Sequence, residues 1–289
     1  MTTKAVSTKD ISELRARTSA GMMDCKVALE EAGGDLDKAA EILRKKGIAK
    51  AEKRGGRVAA QGLVVIASHG AGDVAMIELD CETDFVVRTE EFGNLARELA
   101  AHAARQAPTG VHPGSALDSQ PFAGRTVAEA IKELAAKTGE ATTLRRVARL
   151  AQPNGTVQSY LHHNGQVGVL VELEGPGGDA LVELGRELAL HIASADPIGV
   201  SETDIPGEVL ERERRIAEEQ VAAGGKPEAI RPKIVAGKLR KFVGERTLLG
   251  QPFVKDETRT AGDLVKTAAQ TLGGPVTVRR FARFKVGEA

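Results

Sequence analysis

Leu95-Ala96-Arg97-Glu98-Leu99-Ala100-Ala101-His102-Ala103-Ala104 returns 89 residues later as Leu184-Gly185-Arg186-Glu187-Leu188-Ala189-Leu190-His191-Ile192-Ala193, with seven of the ten positions identical. The spacing predicts an amphipathic helix: Phe92, Leu95, Ala96, Leu99 and Ala103 fall on one face, and Thr89 is placed to cap its start. A repeat of this kind governs the reading of its surroundings, because two copies of one unit bury their cores in the same way.

The repeat extends in both directions. Leu63-Val64-Val65-Ile66-Ala67, a turn at Ser68 to Gly72, and Val74 to Leu79 read as a β-hairpin, and Gly72-Asp73-Val74 to Glu78-Leu79 resembles Gly165-Gln166-Val167 to Glu172-Leu173. Beyond a Pro/Gly-rich stretch from Pro108 to Gly124, Arg125-Thr126 to Gly139 resembles Arg259-Thr260 to Gly273. Thr143-Leu144-Arg145-Arg146-Val147-Ala148-Arg149-Leu150 likewise resembles Thr277-Val278-Arg279-Arg280-Phe281-Ala282-Arg283-Phe284. The repeating unit is hairpin, helix, connection, helix, strand. That predicts an α+β fold with a largely antiparallel sheet.

These last two pairs lie 134 residues apart, against 89 for the first helix, so the second copy carries an insertion of 45 residues between its helices. Residues 206–249 fill it. Val209, Ile216 and Val221 mark one helix, Gly224-Gly225-Lys226-Pro227 a turn, and Ile230, Ile234, Leu239 and Phe242 a second helix. Such an αα-hairpin cannot bury both its faces by itself and is expected to lean on another subunit or a partner.

Residues 1–47 read as a three-helix bundle. Ser7-Thr8-Lys9-Asp10 has the capping pattern ahead of Ile11 and Leu14; Met23, Val27 and Ala32 mark the second helix, stopped by Gly33-Gly34; Leu36, Ala39, Ala40 and Leu43 mark the third, with Gly47 as its expected C-cap. Lys45 to Arg57, with six basic residues against Glu52, is expected to be a solvated linker. The resulting division is 1–54 (bundle and linker), 55–152 (first core subdomain), 153–198 with 250–289 (second core subdomain) and 199–249 (inserted helices).

The chemistry visible in the sequence is sparse. Forty basic side chains balance forty acidic ones, which leaves no net field for a polyanion. No apolar run approaches the roughly 18 residues of a membrane span, and the N-terminus lacks a signal peptide's apolar region, so a cytoplasmic chain is expected. Cys25 and Cys81 fit a reducing compartment, and Cys81 beside Glu82 and Asp84 is the reverse of an activated thiolate. Six histidines show no metal-ligand spacing, and the recurrence of His102 as His191 favours a structural role. Gly175-Pro176-Gly177-Gly178-Asp179-Ala180 satisfies the G-x-G-x-x-G/A pattern, but its strand belongs to a hairpin rather than a βαβ crossover. These residues point to a binding protein without catalytic groups or a cofactor.

One segment stands out. Asp80-Cys81-Glu82-Thr83-Asp84-Phe85-Val86-Val87-Arg88-Thr89-Glu90-Glu91-Phe92 joins the first hairpin to its helix and carries an apolar trio, Phe85 to Val87, in a chain whose aromatic content is only 3%. The matching connection in the second copy is glycine-rich and has no Phe, so the fold does not demand an aromatic there. Phe85 therefore reads as a tool rather than core filling.

The order of these pieces resembles the bacterial translation elongation factor Ts family. The resemblance is carried by Ala20-Gly21-Met22-Met23-Asp24-Cys25-Lys26-Val27-Ala28-Leu29, Glu82-Thr83-Asp84-Phe85-Val86, Val167-Gly168-Val169-Leu170-Val171, Gly250-Gln251-Pro252-Phe253-Val254 and Phe284-Lys285-Val286-Gly287. It implies a ubiquitin-associated-like N-terminal bundle, two sheet subdomains and a coiled-coil insert. It also implies a guanine-nucleotide exchange factor that acts on the GTPase elongation factor Tu. By the same resemblance, Thr83, Asp84, Phe85 and Val86 dislodge Mg²⁺ from the GTPase, while Met22, Met23, His162, Gly165 and Val167 make other contacts with it. His163 and Asn164 are two extra residues ahead of Gly165. The implied hairpin role is pairing in a homodimer or heterotetramer; no nucleic-acid or membrane partner is implied.

Overall fold

The computed structural model describes residues 6–18, 20–54, 59–70, 72–224 and 227–288. Parts of the expected linker Lys45 to Arg57 and of the expected turn Gly224 to Pro227 lie outside these ranges. In chain order the elements are α1 (Thr8–Thr18), α2 (Met22–Glu31), α3 (Leu36–Arg54), β1 (Gln61–His69), β2 (Asp73–Cys81), α4 (Asp84–Val87), α5 (Glu90–Gln106), β3 (Gly110–Pro113), β4 (Pro121–Phe122), β5 (Arg125–Thr126), α6 (Val127–Thr138) and β6 (Thr142–Ala151). They continue with β7 (Gly155–Leu161), β8 (Val167–Glu174), α7 (Asp179–Ala195), α8 (Gly207–Ala223), α9 (Arg231–Arg246), β9 (Pro252–Phe253), β10 (Asp256–Thr260), α10 (Ala261–Leu272) and β11 (Thr277–Lys285). The fold is α+β. Its contacts group into two compact units, Met1–Val65 with Ile77–Val147 and Val286–Ala289, and Ile66–Met76 with Ala148–Lys285.

In the first unit, α1 opens on the expected box: Ser7 Oγ accepts the Asp10 N–H at 3.1 Å and donates to its carboxylate at 2.7 Å. Leu14, Cys25, Ala28, Leu29, Ala39 and Leu43 form the core of the bundle. The α2 stripe differs from expectation, because Met23 and Val27 face outward and Cys25, Ala28 and Leu29 face inward. Gly33 and Gly34 end α2 with φ of 64° and 84°, where a side chain would be strained. The expected stop at Gly47 is absent, and α3 continues through the supposed linker to Arg54. One interior glycine costs only about 1 kcal/mol against alanine, which the flanking Ala and Lys residues offset. α3 packs on α6, where Arg44 meets Glu133 at 2.5 Å. The sheet has the order β1-β2-β6-β3.

In the second unit, β8 lies between two antiparallel neighbours in the order β11-β8-β7, with α7 packed against β7 and β8 and α10 packed against α7. Val169, Val171 and Leu173 of β8 meet Leu181, Leu184, Leu188 and Ile192 of α7 in its core. The inserted helices α8 and α9 pack along each other through Ala217, Val221 and Val235. Ile216 and Ile230, which marked the two helices in the sequence, are exposed, and Ile230 belongs to a 3₁₀ turn before α9. Ile234 and Leu239 pack against the same contact.

The duplication extends to the ends of the elements. α5 and α7 each span 17 residues and α6 and α10 each 12. Both shorter helices begin with a capping box, Thr126–Glu129 and Thr260–Asp263, and both end on a left-handed glycine, Gly139 and Gly273. The ion pairs between strands repeat as well: Arg146 reaches Glu78 at 2.5 Å in one copy and Arg280 reaches Glu172 at 2.7 Å in the other.

Candidate functional site

The segment from Asp80 to Arg88 is where the two copies part. In the second, β8 is followed by Gly175-Pro176-Gly177 and then Gly178 as the N-cap of α7. In the first, β2 is followed by an added helical turn, α4, before the N-cap Thr89. The expected loop is thus a short helix. Its end is closed by Thr89, whose hydroxyl donates to the Val86 carbonyl at 2.7 Å and accepts the Phe92 N–H at 3.3 Å. One threonine therefore ends α4 and starts α5.

This helical turn sorts the apolar trio. Val86 is buried, whereas the Phe85 ring is 78% exposed. Burying a Phe side chain is worth roughly 1.5–3 kcal/mol, so displaying it forgoes a gain the fold does not otherwise recover. Asp84 at the start of α4 and Arg88 at its C-cap, one turn apart, form a surface ion pair at 2.7 Å.

The start of the turn is held from elsewhere in the chain. Thr83 is extended (φ −130°, ψ 155°) and makes no side-chain cap on its own helix. Its N–H and hydroxyl both donate to the Glu140 carboxylate, at 3.0 Å and 2.6 Å. Glu82 returns the arrangement by accepting the Ala141 N–H at 2.7 Å. The two acids lace the end of β2 to the start of β6.

Beneath the turn lies a charged cluster. Glu78 is buried against Arg146, and Arg145 stands 3.8 Å from the Asp80 carboxylate. Burial and the neighbouring Glu78 charge push Asp80 up to about 7, against the pull of Arg145 and Arg146. Asp80 Oδ1 is buried without a hydrogen-bond partner. Cys81 is buried, its thiol donates to the Thr83 carbonyl at 3.2 Å, and burial with the Glu140 charge raises it to about 11. That is the environment of an inert thiol.

The other residues singled out by sequence lie on separate elements. Met22 and Met23 open α2 and are exposed. His162, Gly165 and Val167 come together at the β7–β8 hairpin in the second unit: the His162 N–H donates to Val167 O at 2.9 Å, its carbonyl accepts from Gly165, and Tyr160 Oη sits 2.9 Å from its Nδ1. Among the described residues no group of three His, Cys, Asp or Glu is arranged to hold a metal ion. The Gly175–Ala180 segment follows the central strand of an antiparallel sheet; a Cβ on Gly175 would lie 3.1 Å from Pro275 O, and one on Gly274 would lie 2.8 Å from Pro176. Gly177, in the same segment, faces open space.

His102 and His191 are structural in the described fold. Gln120 and Gln251 lie 2.8 Å and 3.0 Å from the respective rings, and their amide nitrogens reach back to Gln106 O and Ala195 O at the ends of α5 and α7. Phe122 and Phe253 lie against the same rings. The sequence carries this arrangement as a further repeat, Gln120-Pro121-Phe122 and Gln251-Pro252-Phe253.

Among known proteins, residues 82–288 match the family model described as Elongation factor TS. The chain is 47% identical over 290 residues to Elongation factor Ts of Aquifex aeolicus (strain VF5), covering 98% of each chain. It is 46% identical over 285 residues to Elongation factor Ts of Thermobifida fusca (strain YX), covering 97% of this chain and 98% of the relative. For Elongation factor Ts of Thioalkalivibrio sulfidiphilus (strain HL-EbGR7) the identity is 45% over 279 residues, 96% and 91% of the two chains. No helix among the described residues is long and apolar enough to cross a membrane.

Proposed function

The chain belongs to the elongation factor Ts family, and on that premise we propose that it is a guanine-nucleotide exchange factor, working by protein binding rather than catalysis, in the cytoplasm. It binds GDP-bound elongation factor Tu, displaces Mg²⁺ and so promotes GDP release. The observation that carries this reading is Phe85: an exposed aromatic on a helical turn that the second copy of the same unit does without.

The mechanism follows from linkage. Mg²⁺ bridges nucleotide phosphates to a GTPase, so a factor that shifts its ligands weakens the hold on GDP without touching the nucleotide. The factor needs only to bind the metal-poor, open state better than the closed one. Nucleotide and factor then weaken each other's binding to the same extent. Burying one Phe provides roughly 1.5–3 kcal/mol, about one to two decades in an equilibrium. Larger effects need further surface: Met22 and Met23 on the 1–54 bundle, and His162, Gly165 and Val167 on the second core subdomain. Insertion of Phe85, with Thr83, Asp84 and Val86 framing it, is the step that opens the site. The αα-hairpin of 199–249 pairs with a second copy or props the partner, in a homodimer or heterotetramer.

Stopped-flow release of a fluorescent GDP analogue from elongation factor Tu tests this. The chain is expected to accelerate release, and Phe85→Ala is expected to lose most of that acceleration with an unchanged melting temperature. An unaltered rate with Phe85→Ala would remove the assigned role of Phe85.

A further inference from the structure

We propose that Glu140 is a positioning residue for exchange, and that its carboxylate fixes the angle at which Phe85 is presented. The inference rests on the exchange reading above and adds a residue to it. Three observations lead to it.

The first is the geometry of the clamp. A threonine at a helix N-cap ordinarily turns its oxygen inward to accept one of the first free N–H groups. Thr83 instead gives both its N–H and its hydroxyl to Glu140, 57 positions away in sequence. Two charge-assisted hydrogen bonds to one carboxylate fix the backbone entering α4. Phe85 follows only two residues later, at the exposed side of a turn just four residues long. With so little helix to hold itself, its direction is set by its two ends, and Glu140 holds one of them.

The second is the place of Glu140 itself. It follows the left-handed Gly139 that ends α6, and its N–H bonds the Thr138 hydroxyl at 3.4 Å. Its backbone is thus anchored to a helix end, and the next residue, Ala141, is tied to Glu82. The carboxylate is delivered from a fixed mount.

The third is the internal comparison. The residue that follows the matching left-handed Gly273 is Gly274, where a Cβ would meet Pro176 at 2.8 Å. The copy without the added turn has no side chain at this position, and the copy with the turn has a carboxylate that engages it. Sheet and helices form in both, so an acid at 140 is not what the fold requires.

The test is the dependence of GDP release on factor concentration. Glu140→Ala is expected to lower the saturating release rate about tenfold, the equivalent of one charge-assisted hydrogen bond, and to leave the half-saturating concentration within about twofold, since the docking surfaces are untouched. Glu140→Gln, which keeps one acceptor, is expected to recover part of the rate. Thr83→Val, which removes one donor without altering Glu140, is expected to reproduce part of the loss and serves if Glu140→Ala does not fold. A saturating rate equal to that of the parent in folded Glu140→Ala or Thr83→Val overturns the proposal, as does a loss confined to the half-saturating concentration. If Phe85→Ala is defective while both clamp variants are not, the positioning role fails alone. If the parent does not accelerate release, the exchange reading itself fails and this inference with it.

Discussion

Gln251 holds the His191 ring in one tautomer. Its side-chain oxygen accepts from Nε2 at 3.0 Å, while Nδ1 accepts the Val254 N–H at 3.3 Å. A ring that donates at one nitrogen and accepts at the other is neutral, and burial lowers the pKa of His191 accordingly. The same amide donates to Ala195 O and Glu245 O, so one side chain joins the end of α7, the end of α9 and the following strand.

Gln251→Ala is expected to destabilise the chain by about 2–4 kcal/mol, because it leaves a buried ring N–H and two carbonyls without partners. Gln120→Ala removes the corresponding contacts of His102 and Gln106 O, at a position only half-buried, and is expected to cost less. Urea denaturation followed by circular dichroism measures both, and equal losses would contradict the account.

Asp80 gives stability a definite pH trend. Its folded pKa of about 7 lies above the ordinary 3.8, so the folded state keeps a proton that the unfolded state has released. That contribution is fully present below the ordinary value and is lost as pH rises through about 7. Asp80→Asn mimics the protonated form. It is expected to be more stable than the parent at pH about 8, by at most about 4 kcal/mol, with the difference shrinking towards pH about 4. Thermal melts across this range check it; a gain that grows on acidification would reverse the sign.

Gly185 occupies the place of Ala96 in the other copy. Alanine is favoured there by about 1 kcal/mol on helix propensity alone. A Cβ at Gly185, however, would stand 2.4 Å from Gln158 Cγ and 2.8 Å from its Cβ, and a Cβ cannot rotate away. Gly185→Ala is therefore expected to lower the melting temperature, and Gln158→Ala, which removes only the Cγ contact, to restore part of it. A melting temperature raised by Gly185→Ala would show that β7 yields at little cost.

How far the structure could be read from the sequence depended on whether the information was local. The matched helices, the capping boxes and the left-handed glycines follow from patterns a few residues long, and the repeat carried them from one copy to the other. Phe85 could be picked out because the second copy lacks it. The continuation of α3 past Gly47 could not, since a single glycine is a weak stop. Nor could the inward turn of Cys25 and Ala28 in place of Met23 and Val27: both stripes have helical spacing, and only the packed neighbours choose. The Glu140 clamp was beyond reach for a different reason. Its partners are 57 residues apart, and an acid after a helix-ending glycine looks like ordinary surface.

The inserted hairpin leaves and rejoins the second unit side by side. Gly199 bridges Thr247, the Ile198 N–H bonds Arg246 O, and the Leu248 N–H bonds Gly199 O, each at 2.9 Å. A chain that exits and re-enters through one doorway can be lengthened, trimmed or exchanged without altering the strand register behind it. The two helices are in that sense a limb on a single mount: beyond the Glu245 carbonyl that Gln251 holds, their length sets how far the limb reaches and is separate from the scaffold that carries it.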